Sequence, residues 1–358
     1  MSSDISIKDH WSGELAITGV GLITPVGFCA DSSLAALRAG ISRLSRLEHF
    51  KIEVNENELD FVLGAQVPWR QERSMSRDRI SSLMEPVLSE LFSKVKLEKS
   101  DRIGAFIGTS GTSPGGRILN YDEKLKEDFL DSVPKGYSIS RARLIPAGRV
   151  SVLKAIRSAA ISLTEDIIDV AIIGAADSLI SPRSLSWLRS RGRLGEFPSR
   201  TGIFPAEAAG FLALEKIDRV RERNSDVLAI IRKSTGAFEE GTWGEAMSAI
   251  PLTKCIRSVT ENLSDTDAFV VSDLGGERYR VMEWIMAMPK AMWRYQKMHH
   301  WNPADRIGDS GAAMGAISLA WAADAMRRRY SPSQNSLIWG ASDEGYREAA
   351  LVSVWDGE

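Results

Sequence analysis

Short apolar runs alternate with amphipathic helical patterns along most of this chain. Residues 15–24, 103–107 and 167–175 are apolar runs of strand length that end in glycine or other small residues, which predicts buried strands. Residues 79–94 and 150–163 repeat apolar positions at helical spacing, which predicts helices with one buried face. A helix that leads into a continuously apolar strand is typical of α/β proteins with a parallel core.

The second half of the chain repeats this succession of elements without a visible sequence repeat. The patterns predict strands, then a small-residue helix, then two closing strands, at residues 209–215, 227–232, 269–271, 311–326, 337–340 and 351–355. The stretch from about 45 to 75 is polar and predicts irregular structure.

Composition narrows the function classes. The 358 residues are 44% hydrophobic, enough for two or three average domains or one large two-lobed fold. The 45 basic and 47 acidic residues nearly cancel, so we expect no nucleic-acid partner and no attraction to an anionic membrane. Two cysteines and four histidines, without zinc-type spacing, predict a reduced chain with no metal and no cofactor. No signal-peptide pattern or 18-residue apolar run appears, which predicts a soluble cytoplasmic protein.

Five segments, in order, carry a resemblance to one enzyme family. They read LAITGVGLITPVG, RIGAFIGTS, DVAIIGAAD, GIFPAEAAGFLALE and IGDSGA, at residues 15–27, 102–110, 169–177, 202–215 and 307–312. Together they resemble the β-ketoacyl-ACP synthases (3-oxoacyl-ACP synthases), the condensing enzymes of the thiolase superfamily.

The resemblance implies an α/β, thiolase-like fold with two similar α/β halves in alternating layers of helices and mixed sheets. It places the N-terminal half at residues 12–216 and the C-terminal half at residues 217–358, packed as one compact unit. It also implies a homodimer formed across a central strand.

The catalytic positions of the family are where this sequence departs from it. The family's nucleophilic cysteine falls on Arg149, and its two histidines fall on Asp273 and Asp305. The assisting lysine falls near His300. All the condensing positions are therefore lost together.

These replacements remove the chemistry that condensation needs. A thiolate accepts the acyl chain, and arginine cannot act as that nucleophile. The family histidines stabilise developing negative charge as hydrogen-bond donors, whereas aspartates are acceptors and would repel it. Arg149 with Asp273 and Asp305 is more typical of an ion-pair network than of a catalytic device. Ser151 lies two residues from the nucleophile position, but no histidine accompanies it as a base.

Residues 282–301 contain five methionines and three tryptophans, side chains that adapt to irregular contacts and are favoured at interfaces. This composition indicates a partner-binding surface at Trp284, Met288, Met292, Trp293 and Trp301. In the alternative interpretation, Pro289 divides two helical pieces that pack on the core or on a dimer mate.

Three functions remain open. The leading hypothesis is a catalytically inactive protein that acts by binding another protein, as an adaptor or a chaperone-like protein, because degenerate members of the wider family accompany effectors of bacterial type VI secretion. The second is a non-catalytic partner subunit of an active ketosynthase, similar to chain-length factors, with a ketosynthase or an acyl carrier protein as its partner. The third is a residual acyltransferase or acyl-thioester-binding protein.

Overall fold

The computed structural model describes residues 9–55, 58–68, 77–111, 121–195, 201–241 and 245–357. The elements of the first half are β1 (His10–Ile23), α1 (Ala30–Arg38), β2 (Ser45–Asn55), β3 (Glu58–Gly64), α2 (Arg77–Lys94), β4 (Ile103–Thr109), α3 (Tyr121–Asp131), β5 (Ile139–Pro146), α4 (Ser151–Thr164), β6 (Val170–Ser178), α5 (Pro182–Ser190) and β7 (Glu207–Lys216). Those of the second half are α6 (Ile217–Arg223), β8 (Ala229–Phe238), α7 (Ile250–Thr260), β9 (Asp267–Ser272), α8 (Arg278–Ala291), β10 (Lys297–Trp301), α9 (Ala304–Ile307), α10 (Met314–Arg327), β11 (Asn335–Ala341) and β12 (Tyr346–Ser353).

The large sheet contains the same five-stranded arrangement twice. Its order is β10-β9-β11-β12-β8-β1-β7-β6-β4-β5. In the first half the order outward from β1 is β1-β7-β6-β4-β5, and in the second half the order outward from β8 is β8-β12-β11-β9-β10. In both halves this is the first, fifth, fourth, second and third strand of that half. In each half the fifth strand runs antiparallel to both neighbours and the other pairs are parallel. The predicted α/β class with two similar halves is confirmed. The division between residues 216 and 217 falls between β7 and α6 and stays a prediction.

Alternate side chains of the strands face different helical layers. On β6, Ile173 faces the central core while Ile172 faces the outer core beneath α2 and α3. On β9, Val271 faces the same central core while Val270 faces the outer core beneath α7 and α8. The strands are therefore buried on both faces, which explains why they read as continuous apolar runs.

The central layer consists mainly of α4 and α10, the matching helices of the two halves. A Cβ at Gly315 on α10 would lie 3.1 Å from the Cβ of Val152 on α4, so the two helices approach closely there. A single-turn 3-10 helix precedes each of them, at Gly148–Val150 and Gly311–Ala313. Gly148 and Gly311 have φ angles of +56° and +58°, which glycine adopts without steric cost.

A buried ion pair joins the central helix of the first half to the last strand of the second. Arg157 on α4 donates two hydrogen bonds to Glu348 on β12, one of them 2.8 Å from Nη2 to Oε1. Both side chains are almost fully buried. This pair fixes α4 against the sheet of the other half.

Two local predictions need correction. Within the stretch expected to be irregular, β2 and β3 form an antiparallel hairpin. Pro289 does not divide two helical pieces, because α8 continues through it and ends two residues later. There the missing N–H removes only one bond from the last helical turn. The following residues form the edge strand β10.

Within the described residues, none of the helices has both the length and the hydropathy that crossing a bilayer requires.

Candidate functional site

Arg149 lies in the 3-10 turn that leads into α4, where the resemblance predicts the family nucleophile. Its side chain is 7% exposed, and its Nε donates to Asp309 Oδ2 at 2.7 Å. Its Nη1 lies 3.4 Å from Asp343 Oδ1. Burial alone would lower the pKa of Arg149, but these carboxylates hold it well above its ordinary value. Arg149 is therefore a permanently charged guanidinium that is paired with two carboxylates.

Asp309 and Asp177 occupy the beginning of the other central helix. Asp309 Oδ1 accepts the Gly311 N–H at 2.9 Å, and Asp177 Oδ2 accepts the Ala312 N–H at 2.8 Å. Burial raises the pKa of Asp177 to about 6; its two backbone hydrogen bonds oppose this rise and the nearby Asp309 adds to it. Helix N-termini favour anions. Here the chain's own carboxylates take that role.

Asp343 shares its carboxylate between two arginines. Arg193 Nη1 donates to Asp343 Oδ2 at 2.9 Å, while Arg193 also binds Glu277 through two hydrogen bonds of 2.7 and 2.9 Å. Burial would raise the pKa of Asp343, but Arg149 and Arg193 hold it well below its ordinary value. The network thus extends from Arg149, in the turn before α4, to Glu277, at the N-cap position of α8.

Asp273, the expected counterpart of the first family histidine, is buried directly after β9 but is not paired with Arg149. Its Oδ2 lies 2.6 Å from Arg280 Nη2 and 3.3 Å from the Ala341 N–H. A Cβ at Gly340 would lie 3.0 Å from this Oδ2 and 3.0 Å from the Val150 side chain. Asp273 therefore borders the turn before α4 and is neutralised by its own arginine.

Asp305 does not join this network. The residue is exposed on the short helix α9. Partial desolvation of its carboxyl group nevertheless raises its pKa, and a hydrogen bond with Asn302 opposes the rise. The carboxylate that reaches Arg149 is Asp309, one helical turn later. The expected convergence of Arg149, Asp273 and Asp305 is therefore corrected, since Arg149 pairs with Asp309 and Asp343 instead.

His300 lies on β10 with its Nε2 2.8 Å from Ser272 Oγ. Ser272 Oγ donates to Asn302 Oδ1 at 2.7 Å, so we assign the proton between Ser272 and His300 to the imidazole. Burial lowers the pKa of His300 to about 4, and the Trp284 ring lies 5.1 Å from it. This neutral histidine supports the packing of the strand and cannot accept the serine proton.

Ser151, the alternative nucleophile, is fully buried at the start of α4. Its Oγ has no hydrogen-bond partner among the described residues, and a Cβ on Gly108 would lie 2.2 Å from it. No base activates it within that part of the chain. Cys255 is buried in α7, where burial raises its pKa far above the ordinary value and keeps it a thiol.

A cavity of about 240 Å³ opens beside Arg193 and Glu277. Its lining is Gly192, Arg193, Leu194, Thr201, Gly202, Glu277, Arg278 and Tyr279. Most of these residues are polar or glycine, whereas an acyl chain would be bound by apolar side chains. The cavity leads to an ion pair, not to a nucleophile.

The partner surface expected from residues 282–301 is corrected at four of its five residues. Trp284 stacks on Trp339 at 4.9 Å, and Met292 is buried in the core beneath α7 and α8. Met288 packs against the same core, and Trp301 packs on Phe269 and Trp321 in the central layer. Only Trp293 is exposed, at 78%.

Sequence reasoning missed Arg193, Glu277 and Arg280. Their only sequence signal was charge within otherwise polar or helical segments, which ordinarily indicates solvent exposure. Asp309 was present in the segment that carried the resemblance, two residues before Gly311 and the helix that follows, which is the pattern of a residue that binds helix N–H groups.

No family sequence profile matches the chain. Among solved structures, it is similar to the ketosynthase of a type II polyketide synthase, bound to a hexaketide and in complex with its acyl carrier protein, with a TM-score of 0.79, 14% identity, and coverage of 97% of this chain and 100% of that one. It is similar to the module 6 ketosynthase of the bacillaene synthase of Bacillus subtilis 168, with a TM-score of 0.76, 12% identity, and coverage of 96% and 72%.

The ishigamide ketosynthase/chain length factor gives a TM-score of 0.75 at 12% identity, with coverage of 96% of this chain and 100% of that one. Likeness at this level of identity concerns the fold, and it agrees with the doubled strand order and the layered helices described above. The chain therefore has the thiolase-like fold of the ketosynthases.

Proposed function

We propose that this chain is a non-catalytic, cytoplasmic ketosynthase-like protein that works by binding another protein. The observation that carries the proposal is that Arg149 is buried and paired with Asp309. The resemblance predicts the nucleophile of a condensing enzyme at this residue. Acyl transfer begins with a thiolate at that point, and a guanidinium accepts no acyl group.

The electrostatics of the site support the same proposal. A condensing site must stabilise negative charge that develops during the reaction. Here Asp309 and Asp177 already bind the N–H groups at the start of the turn that leads into α10. In the turn before α4, the charge of Arg149 is already paired with Asp343. An incoming anionic group would meet these carboxylates and would have to displace one of them from its partner.

A direct test is incubation of the protein with acyl and malonyl thioesters, read by intact-protein mass and by release of carbon dioxide. We expect no covalent acyl adduct and no condensation product, while a cysteine-containing ketosynthase assayed in parallel gives both. An adduct that maps to this chain, or turnover lost in Ser151→Ala, would refute the proposal. A variant that combines Arg149→Cys with Asp273→His and Asp305→His tests whether the scaffold can still condense.

A second candidate is a silent partner of an active ketosynthase. Strand β5 favours it, because this strand pairs only with β4 within the described residues and forms one edge of the large sheet. An open edge offers its backbone groups to a strand of another chain, either a second copy or a different ketosynthase. Light scattering of the protein alone, and after co-expression with a cysteine-containing synthase from the same genome, distinguishes a homodimer from a heterodimer.

A further inference from the structure

The outer face of α7 and α8 is the most apolar exposed surface of the described chain. Among the described residues, nine large hydrophobic side chains are exposed, and five of the nine belong to this face. They are Ile250, Met282, Ile285, Met286 and Trp293, with exposures between 36% and 78%. The last four recur at helical spacing, so they form a stripe along α8 and the turn after it.

The two helices present one continuous surface. Both pack their inner sides on the same core, α7 through Leu252 and Ile256 and α8 through Trp284 and Ala287. They contact each other along their lengths, and their C-terminal ends meet where Arg294 donates to a carbonyl oxygen at the end of α7. Their outer sides therefore face the same way.

Every exposed charged residue within α7 and α8 is basic. These residues are Lys254, Arg257, Arg278 and Lys290. The one acidic residue within the two helices, Glu283, is buried and bound to Arg347. None of the four basic side chains forms an ion pair with the described part of the chain. We name this surface of five apolar and four basic residues the α7–α8 face.

We propose that the α7–α8 face binds an acidic amphipathic helix of a partner protein, an inference that rests on the proposed protein-binding function. The stripe from Met282 to Trp293 covers twelve residues, about 16 Å or three helical turns, which matches the apolar side of one short helix. Methionine and tryptophan adapt to such a ridge. Carboxylates beside the apolar side of the partner would meet Lys254 and Lys290.

A second copy of this chain fits the face poorly. A two-fold interface would place the four basic residues of one copy opposite the same four of the other, and like charges in contact oppose association. Charge complementarity thus favours a partner of opposite sign.

The test uses a fluorescent 18-residue peptide with leucine at positions i, i+3, i+4 and i+7 of each repeat and glutamate on its other side. A peptide of the same composition in scrambled order is the control. We expect fluorescence anisotropy to show binding of the amphipathic peptide alone, weakening as salt rises. Trp293→Ser, and Lys254→Glu with Lys290→Glu, should each weaken binding at least tenfold. Matched exposed changes elsewhere, Ile41→Ser and Lys99→Glu with Lys135→Glu, should leave it unchanged.

Equal binding of both peptides, or equal losses in the control variants, would overturn the proposal. Absence of peptide binding together with sedimentation on phosphatidylglycerol vesicles, lost in the same variants, would make this a membrane-binding face and overturn it as well. The outcome is separable from that of the thioester assay. Acyl transfer with intact peptide binding refutes only the non-catalytic function, and absence of both refutes only the assignment of this face.

Discussion

Replacing Arg149 by methionine tests whether the ion pair between Arg149 and Asp309 holds the two halves together. The change keeps an unbranched side chain of similar length but removes the guanidinium from Asp309, whose side chain is only 4% exposed. Asp343 is less affected, because Arg193 still binds it at 2.9 Å. The variant therefore strands one buried carboxylate.

The expected cost follows from that stranded charge. At 2.7 Å and an effective dielectric constant of about 20, the Arg149–Asp309 attraction is roughly 6 kcal/mol before desolvation is subtracted. Removing one partner of a buried pair typically costs about 3–5 kcal/mol. We expect a loss of that size at pH 8.

Urea unfolding followed by circular dichroism at pH 8 measures this loss. The exposed Arg183→Met on α5 is the matched control and should change stability by less than about 0.5 kcal/mol. The double variant Arg149→Met with Asp309→Leu should recover most of the loss, because it removes both charges. A loss below about 1 kcal/mol, or a double variant as unstable as the single one, would refute the reasoning.

Three further predictions concern other parts of the fold. Asp177, with its pKa raised to about 6, keeps a proton that the unfolded chain releases near pH 4. The free energy of unfolding should therefore fall by about 3 kcal/mol as pH rises from about 4 to 6. Urea titrations should show that this slope disappears in Asp177→Asn. His300, with its pKa lowered to about 4, has the opposite sign: stability is lost as pH falls from about 6.5 to 4, again by about 3 kcal/mol, and this slope should vanish in His300→Gln, whose amide can still donate to the serine oxygen. Gly21→Ala would bring a Cβ within 2.1 Å of the Val87 carbonyl oxygen and should lower the melting midpoint by the equivalent of about 2–3 kcal/mol, whereas Gly275→Ala, with open space around it, should change stability by less than about 0.5 kcal/mol. Equal midpoints for the two glycine variants would contradict the close packing of α2 on β1.

The sequence predicted the buried elements well because their patterns are local. The strand at residues 103–107 and the helix at residues 150–163 were each recognisable from one apolar run or one helical stripe, and the structure places β4 and α4 there. These features depend on neighbours within a few residues.

The partners of Arg149 could not be predicted in the same way. Asp309 and Asp343 lie 160 and 194 residues away, and nothing in a single sequence states which of several acids crosses that distance. The inward direction of Trp284 and Met292 was equally hidden, because a segment rich in both tryptophan and methionine suits a core as well as an interface. Which side of α8 is buried is decided by its packing against α7 and β10, and the sequence of α8 alone does not show this packing.

The ion pairs between the halves have a consequence for the order in which the chain folds. Arg149, Arg157 and Arg193 belong to the half that leaves the ribosome first, but carboxylates that bind them lie in the second half, between Glu277 and Glu348. Until those residues emerge, Arg149 and Arg157 lack the carboxylates that bind them in the folded chain. The repeated strand order therefore does not make the first half an autonomous folding unit. Completion of its core must wait for the last strand, and synthesis stopped before β12 would leave a positively charged, water-exposed intermediate where the central layer should close.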